Sequence, residues 1–316
     1  MSTQELLQEL RPGAFAIAYR MMGSVSEAED LVQEGLLRLH RALEDGQVLT
    51  SPRAYLSTVV TRLAIDELRS ARARRETYVG EWLPEPLLTT GEDEPARHAE
   101  TADSLSLAFL VVLETLSPEQ RAAFLLHDVF DYPYERIAEI IGKSEPATRQ
   151  IATRARRHVA ERRPRYEASR RRRDALAQRF LAAAQEGDLE ALESLLAEDV
   201  ELHGDGGGNA PALARPLHGR RKVAAALAAW LKVGERAGGF DATLEEVNGQ
   251  PGVVVRDVDG GLLAVWALGV AGDRVQSIRS VVNPEKLGHL GPVGVITEVL
   301  ERARRNTARR PAPPAD

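Results

Sequence analysis

The stretch YERIAEIIGKSEPATRQIATRARRHV, residues 134–159, predicts two short helices joined by a glycine turn. Gly142 is predicted to break the first helix. Ser144 is a good N-cap for the helix that follows, and Pro146 is tolerated in its first turn. The predicted buried positions are Ile137, Ala138 and Ile141 in the first helix and Thr148, Ile151, Ala155 and Val159 in the second.

The opposite face of the second helix is polar and mostly basic. It comprises Arg149, Gln150, Thr153, Arg154 and Arg157. A helix, a short turn and a basic second helix are typical of the DNA-binding helix-turn-helix, whose second helix enters the major groove. The alternative is a helical hairpin whose charged face is merely solvated.

The charge distribution favours the DNA interpretation. The whole chain of 316 residues has a net charge of −6. Residues 136–173 contain thirteen Arg or Lys and four Glu, a balance of +9, so the remainder carries −15. One basic block in an acidic protein is the pattern expected of a contact with a polyanion.

The residues before this stretch predict more helices and then a linker. Residues 6–75 have helical periodicity, with one helix over 26–43 that opens on a capping box of Ser26 and Glu29. Another helix is predicted to begin at Ser51 and Pro52. Residues 79–100 hold three prolines and six acidic residues without helical period, which predicts an extended acidic linker.

The residues after it predict a mixed domain. Helical stretches are predicted at about 175–196 and 222–233, around a glycine-rich turn at 204–208. Strands are predicted at 252–257, 262–270 and 274–282, and a disordered tail at 310–316. The polar N-terminus does not resemble a signal peptide, the longest apolar run is too short to cross a bilayer, and we expect a cytoplasmic protein.

Three segments carry a family resemblance. LETLSPEQRAAFLLHDVFDYPYERIAEIIGKSEPATRQIATRARRHV (113–159) resembles the fourth conserved region of extracytoplasmic-function sigma factors. SVSEAEDLVQEGLLRLHRAL (24–43) and SPRAYLSTVVTRLAIDELRSARARRE (51–76) resemble the second region. The resemblance implies two all-α sigma domains that bind core RNA polymerase and promoter DNA, with no catalytic residue, metal or cofactor.

The resemblance also implies roles for individual residues. The family's polymerase-binding face falls on Asp30, Gln33 and Glu34, which share one side of a helix. In the family, the helix that recognises the minus-ten promoter element corresponds to the helix that presents Arg62, Asp66 and Arg69 in this chain. The family often has Asn where this chain has Arg62. Its reader of the minus-thirty-five element falls on the basic face described above.

The C-terminal part, from Asp174 to about Leu290, resembles a SnoaL-type domain, an α+β cone shared with ketosteroid isomerase and nuclear transport factor 2. Sigma factors that carry this domain have linker and cone motifs similar to WLPEP (82–86), DGGG (205–208) and NPEKL (283–287). The usual lysine after the glycines is Asn209 here. The regulatory residues implied are Trp82, Pro84, Pro86, Asp205, Gly206, Gly207, Gly208, Asn283 and Pro284.

The architecture predicted is therefore a multidomain chain with region 2 at 1–77, an acidic linker at 78–101, region 4 at 102–164 and a SnoaL-like domain at 165–316. Two functions remain open for the last domain. It regulates the sigma domains through an intramolecular contact that includes the segment around Trp82, or it binds an unknown small molecule as a sensor or enzyme. The candidate bases for an enzyme are Asp199, His203, Asp205 and Asp241.

Overall fold

A computed structural model describes residues 2–89, 104–162 and 169–308, with the backbone alone for 71–76. Its residues form two compact units. The first comprises residues 1–77 and 108–164, and the second comprises residues 78–107 and 165–316. The most acidic part of the linker and the tail that the sequence predicts to be disordered lie outside the described residues.

The first half of the first unit is a three-helix assembly. Its helices are α1 (Thr3–Met22), α2 (Val25–Glu44) and α3 (Pro52–Glu76). Ser24 caps α2 by accepting a hydrogen bond from the Glu27 amide, so the predicted start at Ser26 is wrong by two residues. The start of α3 is confirmed, because the Ser51 hydroxyl accepts from the Ala54 amide at 3.2 Å.

The second half of the first unit contains α4 (Leu107–Glu114), α5 (Pro118–Phe124) with a π-helical turn at Leu125–Val129, α6 (Tyr134–Ile141) and α7 (Glu145–Arg162). Helix α6 ends at Gly142, as predicted, and this glycine has a left-handed backbone with φ +66°. Two buried positions differ from the prediction. Ile140 is buried while Ile141 is only partly buried, and Ala152 is buried while Ile151 is only partly buried.

The second unit packs helices on a six-stranded sheet. Its helices are α8 (Arg170–Glu186), α9 (Leu189–Leu195), α10 (Arg220–Ala237) and α11 (Ile296–Ala308). Its strands are β1 (Leu196–Asp205), β2 (Leu217–His218), β3 (Asp241–Val247), β4 (Gln250–Arg256), β5 (Leu262–Ala271) and β6 (Arg274–Val281). The strand order is β2-β1-β6-β5-β4-β3, with β1 and β6 parallel.

Strands β1 and β3 were not predicted from the sequence. The predicted helix at 175–196 is two helices, separated at Gly187 and Asp188, and the chain enters β1 at Leu196. Asp199 therefore lies in a strand, although its place after a predicted helix favours a turn. The helix predicted at 222–233 is longer at both ends.

The sheet has two differently used faces. Because strand side chains alternate, Leu202 and Gly204 face one side while His203 and Asp205 face the other. The first side, which we call the inner face, packs on α8, α9 and α10 in a core that includes Phe180. None of the helices in the described ranges is long and apolar enough to span a bilayer.

Candidate functional site

The last residue of β1, Asp205, is completely buried and holds the linker segment. Its Oδ1 accepts a hydrogen bond from the Tyr78 hydroxyl at 2.6 Å, and its Oδ2 accepts one from the Leu83 amide at 2.7 Å. Oδ2 also forms an ion pair with the Lys286 Nζ at 2.7 Å. A buried carboxylate is tolerated because these donors replace water. The glycines around Asp205 suit a tight turn as well as a site, and in the structure Asp205 ends β1.

Lys286 binds the same segment a second time. Its Nζ donates to the Leu83 carbonyl at 2.5 Å. The ammonium also lies 4.3 Å from the Trp82 ring centre and 4.8 Å from the Tyr78 ring centre, which are cation–π distances. We call Asp205, Lys286 and the residues 78–89 that they hold the linker seat. Leu83, with no exposed surface, is its apolar anchor, whereas Trp82 is only half-buried.

Asn283 and the glycines shape the seat. The Asn283 amide Nδ2 donates to the Tyr78 hydroxyl at 3.0 Å, and its Oδ1 caps the short helical turn Pro284–Lys286. Gly207 has φ +59°, and a Cβ there would lie 2.2 Å from Asn283 Nδ2 and 2.8 Å from the Tyr78 hydroxyl. Only glycine fits this position. The three motifs singled out in the sequence thus meet at one place.

The linker continues along the edge of the sheet. The Leu87 amide donates to Asn248 Oδ1 at 2.8 Å, and the Thr89 amide donates to the Glu246 carbonyl at 2.8 Å. His203 forms a hydrogen bond with Glu81 at 2.7 Å. Sequence reasoning missed His203, Asn248 and Lys286 as linker contacts. Only the position of Lys286 inside the NPEKL motif could have indicated one of them.

Burial, and next the hydrogen bond to the Asp205 carboxylate, raises the pKa of Tyr78 well above its ordinary value of 10.0. The neutral phenol is therefore the form that the seat binds. The seat combines one buried ion pair, two uncharged donors to the carboxylate and a cation between two aromatic rings. Such an arrangement holds a peptide segment.

The proposed minus-thirty-five face of α7 is exposed along its length. Arg149, Gln150, Thr153, Arg154 and Arg157 all lie on the solvent side. Arg149 forms an ion pair with Glu145 at 2.6 Å and lies over the Tyr134 ring at 4.7 Å. The helix-turn-helix is therefore free to present its basic side chains to a groove of DNA.

The proposed minus-ten residues contact the other half of the first unit. Arg62 donates to the carbonyl oxygens of Glu139 and Ile140, at 2.8 and 3.1 Å, at the C-terminal end of α6. Arg69 forms ion pairs with Asp66 at 3.0 Å and with Glu119 at 2.6 Å. A helix C-terminus carries partial negative charge, which favours a guanidinium there.

The proposed polymerase-binding residues lie on one side of α2. Asp30 and Gln33 are exposed and Glu34 is partly exposed. Glu34 forms an ion pair with Arg38 at 2.7 Å, one turn later. The buried positions of the same helix, among them Val32 and Leu39, lie on the opposite side. This polar face is therefore available to a partner.

The candidate bases do not come together. Asp199 accepts from Gln276 at 2.8 Å on the exposed side of β1, Asp205 is part of the linker seat, and Asp241 is exposed at the start of β3. His203 is held by Glu81 and by Glu201, at 2.7 and 3.1 Å. Within the described ranges, no group of three His, Asp or Glu side chains is placed to hold a metal ion.

Comparison with protein families supports the division seen in the structure. The Sigma-70 region 2 model matches residues 6–74, the Sigma-70 region 4 model matches residues 106–159, and the SnoaL-like domain model matches residues 177–281. The two helical halves of the first unit and the sheet of the second unit therefore each have a family match. The expected fold class is confirmed.

Two curated relatives match over most of the chain. The ECF RNA polymerase sigma factor SigJ of Mycobacterium tuberculosis (strain ATCC 25618 / H37Rv) is 39% identical over 291 residues, 88% of this chain and 91% of the relative. The probable ECF RNA polymerase sigma factor SigI of Mycobacterium tuberculosis (strain CDC 1551 / Oshkosh) is 32% identical over 282 residues, 87% of this chain and 91% of the relative.

A solved structure agrees with these relatives. The crystal structure of the Mycobacterium tuberculosis extracytoplasmic function sigma factor SigJ has a TM-score of 0.72 and 36% identity, over 91% of this chain and 98% of that chain. Sigma factor relatives are not enzymes, although the SnoaL-like fold is sometimes enzymatic. With both sigma regions and the SnoaL-like domain matched in one continuous relative, this chain belongs to the extracytoplasmic-function RNA polymerase sigma factors.

Proposed function

We propose that this sigma factor directs core RNA polymerase to particular promoters and that its SnoaL-like domain regulates it in cis by holding the linker. The observation that carries the proposal is the linker seat. Asp205 and Lys286 together form five contacts with Tyr78, Trp82 and Leu83, all within the second unit. Because the protein acts with polymerase, we place it in the cytoplasm.

The linker seat holds the segment that connects the two sigma regions, and this position is suited to regulation. The linker leaves the region 2 helices at Thr77 and reaches the region 4 helices at Leu107. We expect the acidic part of a linker in this family to lie in a basic channel of the polymerase. A domain that holds residues 78–89 therefore fixes where that path begins. Since the domain is tethered, its effective concentration is about millimolar and a modest interface is sufficient.

We further propose roles for the exposed residues of the sigma regions. Asp30, Gln33 and Glu34 bind the polymerase. Arg149, with Gln150, Thr153, Arg154 and Arg157, contacts the minus-thirty-five element. The α3 residues Arg62, Asp66 and Arg69 contact the minus-ten element once the two arginines leave their partners on α5 and α6.

The SnoaL-like domain has no catalytic role in this proposal. General acid or base catalysis needs a titratable group beside the reacting atom of a bound substrate. The SnoaL-like domain contains a cavity of about 460 Å³ against the inner face of its sheet, and of the four candidate bases the three carboxylates do not line it. Both ring nitrogens of the fourth, His203, are bound to glutamates. This supports regulation over an enzyme.

The experiment is transcription in vitro with core polymerase, the full-length chain and a pool of genomic promoters. The parent is expected to select a defined promoter set, which identifies the promoter. Lys286→Met removes the cation that binds Leu83, Trp82 and Asp205 while keeping a side chain of similar length. Lys222→Met, at an exposed lysine of α10, is the matched control.

We expect Lys286→Met to change promoter output at least about threefold and the Lys222 control to leave it unchanged, since a contact worth about 1 kcal/mol alters an equilibrium by roughly fivefold. Equal output from parent and Lys286→Met at equal protein abundance would contradict regulation through the seat. Failure of the parent to direct polymerase to any promoter would contradict the larger proposal.

A further inference from the structure

A cavity of about 460 Å³ lies in the second unit against the inner face of the sheet. Protein interiors are packed as densely as organic crystals and leave few voids larger than a water molecule. Ligand pockets, by contrast, measure roughly 300–1,000 Å³. The size of this cavity is therefore that of a binding site rather than of a packing defect.

Small and aromatic residues line the cavity. The small ones include Ala226 on α10, Ala264 on β5 and Gly204 on β1. The aromatic ones include Trp230 on the helix and Trp266 on the strand. A lining of small side chains and aromatic rings suits an apolar molecule.

The C-terminal helix α11 completes the enclosure. Ile296, its first residue, lines the cavity. Val299 and Ala303, on the same face, are buried in a cluster with Ala237 and Leu263. This helix lies beyond the end of the SnoaL-like match at residue 281. The chain therefore adds a wall of its own to the matched domain.

The charges around the cavity limit what can bind. Of the described residues that line it, only His203 and Glu235 are ionisable, and none is Lys or Arg. Glu235 is exposed near the end of α10, and the ring nitrogens of His203 are bound to Glu81 and Glu201. An anion would find no cation inside, and a buried charge without a partner is strongly disfavoured.

Uncharged hydrogen-bond donors are present. The lining residues include Trp230, Trp266 and Ser280, and in the described part of the chain none of their side chains has a hydrogen-bond partner. We propose that this cavity binds a neutral, largely apolar organic molecule that carries at least one hydrogen-bond acceptor, such as a carbonyl or ether oxygen. The two ionisable residues that line the cavity are an exposed glutamate and a histidine whose ring nitrogens are bound to glutamates, so we expect the molecule to be bound and not converted.

The cavity adjoins the linker seat through one strand. Gly204 lines the cavity, and Asp205, the next residue of β1, holds the linker. A ligand against Gly204 would press on the strand that positions the Asp205 carboxylate. The inference that the bound molecule is the regulatory signal rests on the proposed regulation in cis. The binding site itself does not depend on that proposal.

The test uses two fluorescent probes that differ only in charge. N-phenyl-1-naphthylamine is neutral, and 8-anilinonaphthalene-1-sulfonate is the same molecule with a sulfonate added. Both are titrated against the full-length chain without polymerase or DNA. We expect one neutral probe to bind per chain, and the sulfonate to bind at least about tenfold more weakly because it must lose its hydration without gaining a cation.

Variants locate the probe. Ala226→Phe fills the cavity, whereas Ala225→Phe adds the same group at the neighbouring exposed position of α10. We expect the first to weaken binding of the neutral probe at least about fivefold, by steric exclusion, and the second to leave it unchanged. Ala264→Leu fills the cavity from the strand side and decides the matter if Ala226→Phe does not fold, as judged by circular dichroism.

Binding of the neutral probe that cannot be saturated, or that is equal in the cavity-filling and control variants, would overturn the site. Equal affinity for the two probes would overturn its neutral chemistry. Because the titration contains no polymerase, neither result bears on regulation through the linker seat. Conversely, unchanged transcription by Lys286→Met would leave the probe result standing.

Discussion

The Arg69 guanidinium and the Glu119 carboxylate lie 2.6 Å apart and join α3 to α5 within the first unit. The hydrogen bond from Arg69 is the largest of the effects that lower the pKa of Glu119 below its ordinary 4.5. Together with the bonds from Arg62 to the end of α6, this pair attaches the proposed minus-ten face to the region 4 helices. Arg69 can contact DNA phosphates only after it leaves Glu119.

Glu119→Gln should therefore increase the affinity of the free chain for a single-stranded minus-ten oligonucleotide. Because an exposed ion pair is weak, the expected gain is only roughly 1.5- to 5-fold by fluorescence anisotropy. Glu135→Gln is the control, because it removes the same charge from an exposed position of α6. An equal gain in both variants would attribute the effect to net charge alone.

The same pair has a predictable pH dependence. A carboxyl group whose pKa is lowered on folding contributes stability above its unfolded value, and this is lost as the pH falls through the folded value. The Arg69–Glu119 contribution should therefore be complete above pH 4.5 and decline below it. Thermal melts at falling pH should show parent and Glu119→Gln converging below this value, while a constant difference would contradict the assignment.

The sequence predicted the helical first unit well because its signals are local. Gly142 and Ser144 end one helix and begin the next by backbone geometry and capping, which need no tertiary contact. The same locality misplaced the start of α2, since Ser24 and Ser26 are both capable caps. Packing of the following residues decides between two such candidates.

The linker seat could be predicted only through the resemblance. Asp205 lies among glycines, a context that favours a turn, and its burial depends on Tyr78, Leu83 and Lys286, which are far away in the sequence. Strand β1 was missed because Glu198 and Asp199 are consecutive and both exposed, which breaks the alternation of apolar and polar residues expected of a strand. Long-range hydrogen bonds and strand pairing produce no periodic pattern of apolar residues in the local sequence.

Arg149→Ala and Arg157→Ala should differ in kind on the identified promoter. Arg149 is in the first turns of α7, so a base contact there should cost about 1–3 kcal/mol at one position and relax specificity. Arg157, two turns later, should weaken binding to all sequences equally and flatten the salt dependence. Footprinting on promoter variants at several salt concentrations separates these effects. Unchanged promoter binding in both variants would mean that α7 does not recognise the minus-thirty-five element.

Reversal of charge on α2 tests the proposed polymerase contact. Asp30→Lys with Glu34→Lys should weaken binding to core polymerase, while stability changes by under roughly 0.5 kcal/mol per site because both lie off the buried face. Glu9→Lys, on an exposed position of α1, is the control. If the double variant binds core polymerase as tightly as the control, this face is not the contact.

Tyr78 should titrate at higher pH than a free phenol. Its raised pKa means that the neutral form is favoured in the seat, so its contribution is present below pH 10.0 and is lost as the pH rises through the folded value. The difference between the phenolate absorbance curves of the parent and Tyr78→Phe should have a midpoint above 10.0. A midpoint at or below that value would show that the phenol is not held by Asp205.

Asp205→Asn should release the linker and destabilise the second unit. The change leaves the Lys286 ammonium buried without its carboxylate, and loss of one partner of a buried pair costs about 3–5 kcal/mol. The Leu83 amide, which donates to Asp205 in the parent, should exchange its hydrogen faster. The hydrogen-exchange rate of the Leu83 amide measures directly whether the linker seat still holds the linker. Asp199→Asn, at the exposed side of the same strand, is the control.

Adding Lys286→Met to Asp205→Asn separates the ion pair from the rest of the seat. The double variant has no unpaired buried charge, so it should be more stable than Asp205→Asn alone, with an interaction energy of roughly 0.5–3 kcal/mol in the double-mutant cycle. The linker should remain released, because Leu83 has lost Lys286 as the donor to its carbonyl, and the neutral amide oxygen of the asparagine is a weaker acceptor for its amide than the Asp205 carboxylate. Recovered stability with fast exchange at Leu83 would assign the carboxylate and the ammonium to one coupled clamp. Additive effects of the two changes would instead mean that Asp205 and Lys286 hold the linker independently.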